Sequence, residues 1–135
     1  MRFVDTNVLL YAVSTDPLEH VKAARAREVL AEQDIGLSAQ VLQEFYVQAT
    51  RPTREHALTH RQAVDLVTSF GRFPIHSTTP EFVHAAMKTR ERFDVSYWDA
   101  AIIEAARLLR CTELLSEDLN HGQDYGGVVV TNPFR

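Results

Sequence analysis

Short apolar runs alternate with longer amphipathic segments along this chain. Each short run is bounded by polar or turn residues and has too few residues for a helix, which predicts a β-strand. The five predicted strands are Arg2–Asp5, Ile35–Leu37, Phe73–His76, Glu113–Leu115 and Val128–Val130. In the first strand the apolar run is interrupted by three small polar residues, Asp5, Thr6 and Asn7, before it resumes at Val8.

Helix start signals precede the longer segments. Asp16 and Thr79 are capping residues followed directly by a proline, which suits the first helical position. Ser38, Thr59 and Ser96 are capping residues of the same kind. The predicted helices run from Pro17 to about Glu32, Ala39–Thr50, His60 to about Phe70, Pro80 to about Arg92, and Tyr97 to about Leu109, with a further helix-compatible run at Val8–Val13.

Strands that alternate with helices predict the α/β fold class with a parallel sheet. A chain of 135 residues without a linker-like stretch or an internal repeat fits one domain, residues 1–135. We therefore expect a three-layer domain, with a central and mostly parallel sheet of about five strands flanked by helices.

The amino-acid composition and the net charge restrict the classes of protein to which this chain can belong. Hydrophobic residues make up 45% and charged residues 24% of the chain, as in ordinary globular proteins. Cys111 is the only cysteine, so no internal disulfide forms, and we expect it in the core of a cytoplasmic protein without a signal peptide or a membrane helix. The net charge of −4 argues against nucleic-acid binding through bulk positive charge, but not against a metal-dependent nuclease.

Four acidic residues occupy comparable places in this predicted fold. Asp5 follows the first strand, Asp118 follows the fourth strand, and Asp99 lies in the first turn of a helix. Because these ends of parallel strands and helices face one edge of a sheet, we expect the three to converge there. Glu44 lies on the margin of its helix, outside the apolar arc, and joins them if that helix leans over the edge.

Each acid also has a purely structural interpretation. Asp5 can cap the next helix, Asp99 can form a capping box with Ser96, and Glu44 can be an ordinary exposed glutamate. Taken together, clustered carboxylates repel one another and have raised pKa values unless a cation neutralises them. Oxygen-only ligands favour Mg²⁺ or Mn²⁺ over zinc. No phosphate-binding glycine loop or nucleophile elbow is present, and His56 and His60 do not form a metal-ligand pattern.

Four motifs in this order resemble the PIN-domain nucleases, and specifically the VapC-type toxins of bacterial toxin–antitoxin pairs. The acids that they contain are separated by 39, 55 and 19 residues. The motifs are FVDTNVLLYA (Phe3–Ala12), SAQVLQEF (Ser38–Phe45), SYWDAAII (Ser96–Ile103) and LLSEDL (Leu114–Leu119).

The resemblance implies an acidic catalytic quartet of Asp5, Glu44, Asp99 and Asp118. Asp5 and Asp99 are then the principal ligands of a Mg²⁺ ion, for which Mn²⁺ can substitute. Asp118 and Glu44 complete the metal site, through water or a second ion.

Three further positions belong to the same comparison. Asn7 and Ser116 match the polar residues that orient such a site through hydrogen bonds. Serine replaces the threonine that is frequent at position 116 and keeps its hydroxyl. The sequence leaves open whether Glu117 shares the role of Asp118.

The resemblance further implies an endoribonuclease that acts on RNA and is silenced by a cognate antitoxin protein, and it implies a homodimer. Arg51 and Arg54 are the first candidates for contacts with RNA phosphates, although solvated charge is the competing explanation. Other candidates are His56, Arg61, Lys88, Arg90 and Arg92. The antitoxin groove is assigned to Tyr11, Phe45, Tyr46 and Val47, with core packing as the alternative.

Two other functions compete with this interpretation. One is a PIN module that binds metal and RNA without catalysis. The other is a haloacid-dehalogenase-like phosphohydrolase, which also uses an aspartate after the first strand. That family places a second aspartate two residues further on, where this chain has Asn7.

Overall fold

Strands and helices alternate along the chain in the computed structural model, which describes residues 1–135. The strands are β1 (Arg2–Val4), β2 (Ile35–Ser38), β3 (Ile75–His76), β4 (Glu113–Leu115) and β5 (Val129–Thr131). The helices are α1 (Thr6–Ala12), α2 (His20–Ala31), α3 (Ala39–Ala49), α4 (His60–Phe70), α5 (Pro80–Phe93) and α6 (Tyr97–Leu108). A short 3₁₀ turn, Pro17–Glu19, precedes α2. The predicted α/β fold class is confirmed.

The five strands form one parallel sheet in the order β3-β2-β1-β4-β5. The chain therefore builds outward from β1 in one direction and then crosses to β4 on its other side. Ligand sites in such sheets lie at this switch, outside the carboxyl ends of the two strands. Val4 is paired with Leu115, so Asp5 and Ser116 are the first residues beyond the paired ends of β1 and β4.

The core lies between this sheet and the helices. Phe3 and Val4 of β1 are completely buried, as are Leu114 and Leu115 of β4. The central position of β1 and β4 explains why their segments carry such continuous apolar runs. Cys111 is buried, as expected.

The alanines of α6 allow close packing, as the sequence indicated. Helix α6 packs against α5 and also contacts β2. Every residue from Ala100 to Ala106 is buried. Glu104 is among them with only 1% of its surface exposed, and it is the charged exception in this buried run.

Some boundaries differ from the predictions. The third strand is limited to Ile75 and His76, although the Pro74 carbonyl already accepts a hydrogen bond from Leu37. Helix α1 begins at Thr6 rather than Val8, because the Asp5 side chain caps it. Thr59 caps α4 as predicted, and it forms a capping box with Gln62. No helix in the structure combines the length and the apolar character that crossing a membrane requires.

Candidate active site

A cavity of about 250 Å³ opens beside the carboxyl ends of β1 and β4 and brings the four predicted acids together. Its walls come from α1, α3, α6 and the segment after β4. The lining residues are Asp5, Thr6, Asn7, Leu10, Gln40, Glu44, Gln48, Trp98, Asp99, Ile102 and Asp118. Neither lysine, arginine nor histidine is among them, so the cavity concentrates negative charge without a cation from the chain.

Asp5 is the most buried of these four acids, and its carboxylate accepts hydrogen bonds from two neighbours. One carboxylate oxygen accepts a hydrogen bond of 2.7 Å from the backbone N–H of Thr6, and the other accepts one of 2.8 Å from the hydroxyl of Ser116. The cap interpretation and the site interpretation of Asp5 are therefore compatible. Only 9% of the residue is exposed.

Burial raises the pKa of Asp5 to about 6 from an ordinary value of 3.8, despite the two hydrogen bonds, which act in the opposite direction. The negative charges of Asp118 and Glu44 add to the increase. The carboxylate form of Asp5 is thus destabilised by its surroundings, as expected of a buried anion without a positive partner.

Ser116 and Asn7 connect Asp5 to Asp118. The Ser116 hydroxyl donates to Asp5 and accepts from the Asn7 amide at 3.2 Å and from the backbone N–H of Asp118 at 3.1 Å. The same Asn7 amide donates to the Asp118 carboxylate at 3.1 Å. These bonds fix the orientations of the two carboxylates relative to each other.

Glu44 is half-buried and held by two neighbours, so it is not an ordinary exposed glutamate. The Thr6 hydroxyl donates to one of its oxygens at 2.8 Å, and the Gln40 amide donates to the other at 2.9 Å. Gln40 precedes Glu44 by one helical turn on α3, which places the two side chains on the same face. Helix α3 thus directs Glu44 into the cavity.

Asp99 has a free carboxylate. The Ser96 hydroxyl accepts a hydrogen bond of 3.1 Å from the backbone N–H of Asp99, but the reciprocal bond that completes a capping box is not formed. The capping-box interpretation of Asp99 is therefore wrong. Burial raises the pKa of the Tyr125 phenol, and the negative charge of Asp99 adds to the increase.

Glu117 and Asp118 are adjacent in the chain but face different surroundings. The Glu117 carboxylate accepts hydrogen bonds from the Tyr11 hydroxyl at 2.6 Å and from the Lys22 ammonium at 2.9 Å. Asp118 lines the acidic cavity, and Glu117 does not. Only the Asp118 side chain is thus placed to share a metal ion with Asp5.

The donor set suits a hard divalent cation, because the side chains on the cavity wall that can coordinate a metal do so through oxygen. No three of these carboxylates lie close enough together to form a complete metal cage by themselves. Mg²⁺ does not require such a cage, because it usually keeps several waters and binds one or two carboxylates directly. The buried, unneutralised Asp5 is the observation that fits a cation best.

The two predicted RNA-contacting arginines lie in different places. Arg51 borders a depression that adjoins the acidic cavity. Arg54 borders a separate depression formed with residues of α1 and of the loop after it, including Leu10 and Val13.

The predicted antitoxin groove needs a correction. Phe45 is completely buried and packs edge-on against Phe70 at 5.2 Å, so it belongs to the core. Tyr46 and Val47 do border an apolar depression, which is formed by α3 and α4. Tyr11 lies apart from it, in contact with Phe134.

Three of the lining residues that the sequence did not assign to the site have a clear place in it. Thr6 and Gln40 position Glu44, and Trp98 forms part of the rim. The position of Gln40 one turn before Glu44 was a usable signal for its role. Trp98 precedes Asp99, and nothing in the pattern distinguished it from a core aromatic residue.

Comparisons with known proteins define the class to which this fold and site belong. The family model for the PIN domain matches residues 2–123. The chain therefore belongs to the PIN domain family.

Solved structures with the same fold cover nearly the whole chain. A toxin–antitoxin complex from Klebsiella pneumoniae superposes with a TM-score of 0.72 at 20% identity, covering 98% of each chain. The VapC20 toxin of Mycobacterium tuberculosis, described as cleaving the sarcin–ricin loop, superposes with a TM-score of 0.66 at 17% identity, covering 87% of this chain and 92% of its own. A DNA-bound VapBC complex from Salmonella typhimurium reaches 0.69 at 15% identity, covering 98% and 97%. A comparison with curated protein sequences finds no significant match.

Proposed function

We propose that this protein is a divalent-metal-dependent endoribonuclease and the toxin of a type II toxin–antitoxin pair. The observation that carries the proposal is the buried Asp5 carboxylate, which shares a cavity with Glu44, Asp99 and Asp118 and with no cationic side chain. In a PIN fold, this arrangement suits the hydrolysis of a phosphodiester bond in RNA.

Asp5 and Asp99 would be the principal ligands of a Mg²⁺ ion, for which Mn²⁺ can substitute, and Asp118 would complete the site through water. When bound, the ion supplies Lewis acidity and lowers the pKa of a water molecule, which makes that water a nucleophile near neutral pH. Ser116 and Asn7 keep the Asp5 and Asp118 carboxylates oriented toward the cavity. Glu44, fixed by Thr6 and Gln40, is placed to accept a proton or to orient a water.

The partners follow from the same comparison. Related folds were solved as toxin–antitoxin complexes, and one relative is described as cleaving the sarcin–ricin loop. We expect a cognate antitoxin protein that covers the acidic cavity, an RNA substrate, and a homodimer. The interpretation as a phosphohydrolase is disfavoured, because Asn7 occupies the position of the second aspartate and its amide binds Ser116 and Asp118.

The decisive experiment is a cleavage assay on transfer and ribosomal RNA with purified protein. Cleavage is expected with Mg²⁺ or Mn²⁺ and is expected to stop in EDTA. Asp5→Asn and Asp99→Asn should each lower the rate by about a thousand-fold or more, since each removes a ligand of an ion that supplies several kcal/mol of transition-state stabilisation. Circular dichroism should show that both variants remain folded.

A matched control separates the site from the general loss of a carboxylate. Asp65 lies on the exposed face of α4, where it pairs with Arg61 at 3.6 Å. Asp65→Asn makes the same chemical change and should leave the cleavage rate unchanged. RNA binding without turnover by the wild-type protein would select the non-catalytic PIN module instead.

A further inference from the structure

A second depression, of about 400 Å³, adjoins the acidic cavity and is a separate part of the surface. Its volume lies in the range of about 300–1,000 Å³ that is usual for small-ligand sites. Its lining residues are Gln40, Gln43, Glu44, Val47, Gln48, Arg51 and Trp98. Gln40, Glu44, Gln48 and Trp98 line both spaces, so a molecule that enters the acidic cavity can extend directly into this depression.

Trp98 is the most unusual residue of this depression. It is the only tryptophan of the chain, and 64% of it is exposed. Its ring forms a T-shaped contact with the Tyr97 ring, with centroids 5.1 Å apart and an interplanar angle of 82°. Its backbone carbonyl accepts a hydrogen bond of 3.3 Å from Gln40, the residue that also binds Glu44. A large aromatic side chain beside the acids is thus mostly open to solvent.

The polar groups around Trp98 are free to bind a ligand. The side-chain amides of Gln43 and Gln48 are exposed and form no hydrogen bond within the protein. The Arg51 guanidinium has no carboxylate partner within salt-bridge distance. An aromatic face, two free amides and one free guanidinium correspond to the three parts of a nucleotide site, which are base stacking, base-edge recognition and a phosphate contact.

We propose that this depression is a subsite for one unpaired nucleotide of the RNA, next to the phosphate that is cleaved. The base stacks on Trp98, Gln43 and Gln48 bind its edge, and Arg51 binds a neighbouring phosphate. This inference rests on the proposed function, because it names the part of the substrate that lies beside the same acidic cavity. The subsite requires single-stranded RNA, since the faces of paired bases inside a helix are already stacked.

The first test uses the single tryptophan as a reporter. The Asp5→Asn protein is titrated, with Mg²⁺ present, with oligoadenylate and oligouridylate of about seven nucleotides, a length within the usual range of single-strand sites. Stacking of a base on Trp98 is expected to quench the fluorescence in a saturable manner, and the purine oligomer should quench more strongly. Oligomer binding without any change in fluorescence would overturn the proposal, as would the absence of binding.

The second test removes the aromatic face. In the same Asp5→Asn background, Trp98→Ala should weaken binding of the oligomers about 5- to 100-fold, and Trp98→Phe should recover part of that loss. Val21→Ala is the control, because Val21 is 72% exposed on α2 and borders neither depression. Equal affinities for Trp98→Ala and its parent would overturn the proposal, and weaker binding of an antitoxin in that variant would then assign Trp98 to a protein interface.

The third test measures the phosphate contact. For single-stranded RNA, each contact contributes about 0.7 to the slope of log affinity against log salt concentration. Arg51→Ala should lower that slope by about this amount. Arg110→Ala is the control, because Arg110 is an exposed arginine at the far end of α6, without a salt bridge. An unchanged slope in Arg51→Ala would overturn the role of Arg51.

The proposed function and the proposed subsite can be contradicted separately. If the wild-type protein cleaves RNA, and Trp98→Ala changes neither the affinity for the oligomers nor the cleavage rate, the proposed function stands and the subsite is wrong. If the protein cleaves no RNA but the oligomers quench Trp98 and depend on it for binding, the subsite stands and the catalytic proposal is wrong.

Discussion

Asp5 and Glu104 are the two acidic residues that this fold buries, with 9% and 1% of their surfaces exposed. Their surroundings are opposite. Glu104 accepts hydrogen bonds from Thr89 of α5 at 3.0 Å and from Arg107 of its own helix at 3.0 Å, and a second Arg107 nitrogen also contacts it. Asp5 accepts bonds only from neutral donors, and its charged neighbours are Asp118 and Glu44.

This difference distinguishes Glu104, a buried charge with a structural role, from Asp5. Burial of an ion is unfavourable unless a partner of opposite charge accompanies it. The chain provides that partner for Glu104, one helical turn away, so Glu104 joins α5 to α6. It provides none for Asp5, although the site is close to solvent and has room. We propose that a cation from outside the chain takes the place of that partner.

The largest expected effect concerns the pH dependence of stability. Because the folded protein binds the Asp5 proton more tightly than the unfolded chain does, ionisation of Asp5 destabilises the fold. The contribution of Asp5 to the free energy of unfolding should therefore fall by about 3 kcal/mol as pH rises from about 4 to about 6, and stay constant above pH 7. Denaturant unfolding of the metal-free protein at several pH values measures this loss, and saturating Mg²⁺ at neutral pH should reverse it.

Asp5→Asn isolates this effect from the other titrating groups. Above pH 7 the variant should be more stable than the metal-free wild type by about 1–2 kcal/mol. This is less than the full penalty, because the new amide is a poor partner for the Ser116 hydroxyl. Near pH 4 the order should reverse, with the wild type more stable by about 1–2 kcal/mol, because protonated Asp5 no longer carries the penalty. If the difference between the two proteins does not vary with pH, Asp5 ionises without penalty, and the comparison with Glu104 loses its meaning.

The next effect comes from removing the partner of Glu104. Arg107→Met should lower the free energy of unfolding by about 2 kcal/mol, because it leaves a buried carboxylate with Thr89 as its only donor. The loss is smaller than for a fully buried pair, since half of the Arg107 side chain is exposed and water can replace part of it.

Arg61→Met is the matched control for this change. Arg61 forms a helical pair with Asp65 in which both side chains are mostly exposed. Its loss should change stability by less than about 0.5 kcal/mol. Equal effects of the two substitutions would mean that burial of Glu104 does not make its partner important.

How much of the structure could be predicted from the sequence depends on whether a feature is determined by local residues or by tertiary contacts. Apolar runs, capping residues and Pro80 determine local structure, so the five strands and the starts of the four helices α3 to α6 followed from the pattern. The spacing of the four acids was sufficient for the resemblance to PIN-domain nucleases. Their convergence followed from parallel topology, because strand ends that share one edge must lie close together.

Properties that depend on tertiary contacts could not be predicted in this way. Nothing in the α6 sequence showed that Glu104 faces α5, since a glutamate followed by an arginine three residues later is typical of an exposed helical pair. The sequence showed on which face of its helix Phe45 lies, but not which residues cover that face. Phe45 was therefore assigned to a groove. Trp98 differs from a core aromatic residue only by its exposure, which no local pattern reports.

The smallest expected effect on stability separates two adjacent acids. Glu117→Gln should lower stability by about 1 kcal/mol, because it replaces a carboxylate that binds Tyr11 and Lys22 with a neutral amide. Its effect on RNA cleavage should stay within a few-fold. Asp118→Asn should do the reverse, lowering cleavage by about a hundred-fold or more while stability is unchanged or slightly increased, since a repulsive neighbour of Asp5 is removed. Parallel losses of activity in both variants would show that Glu117 turns toward the metal site, and the chain would then place five acids rather than four around its cation.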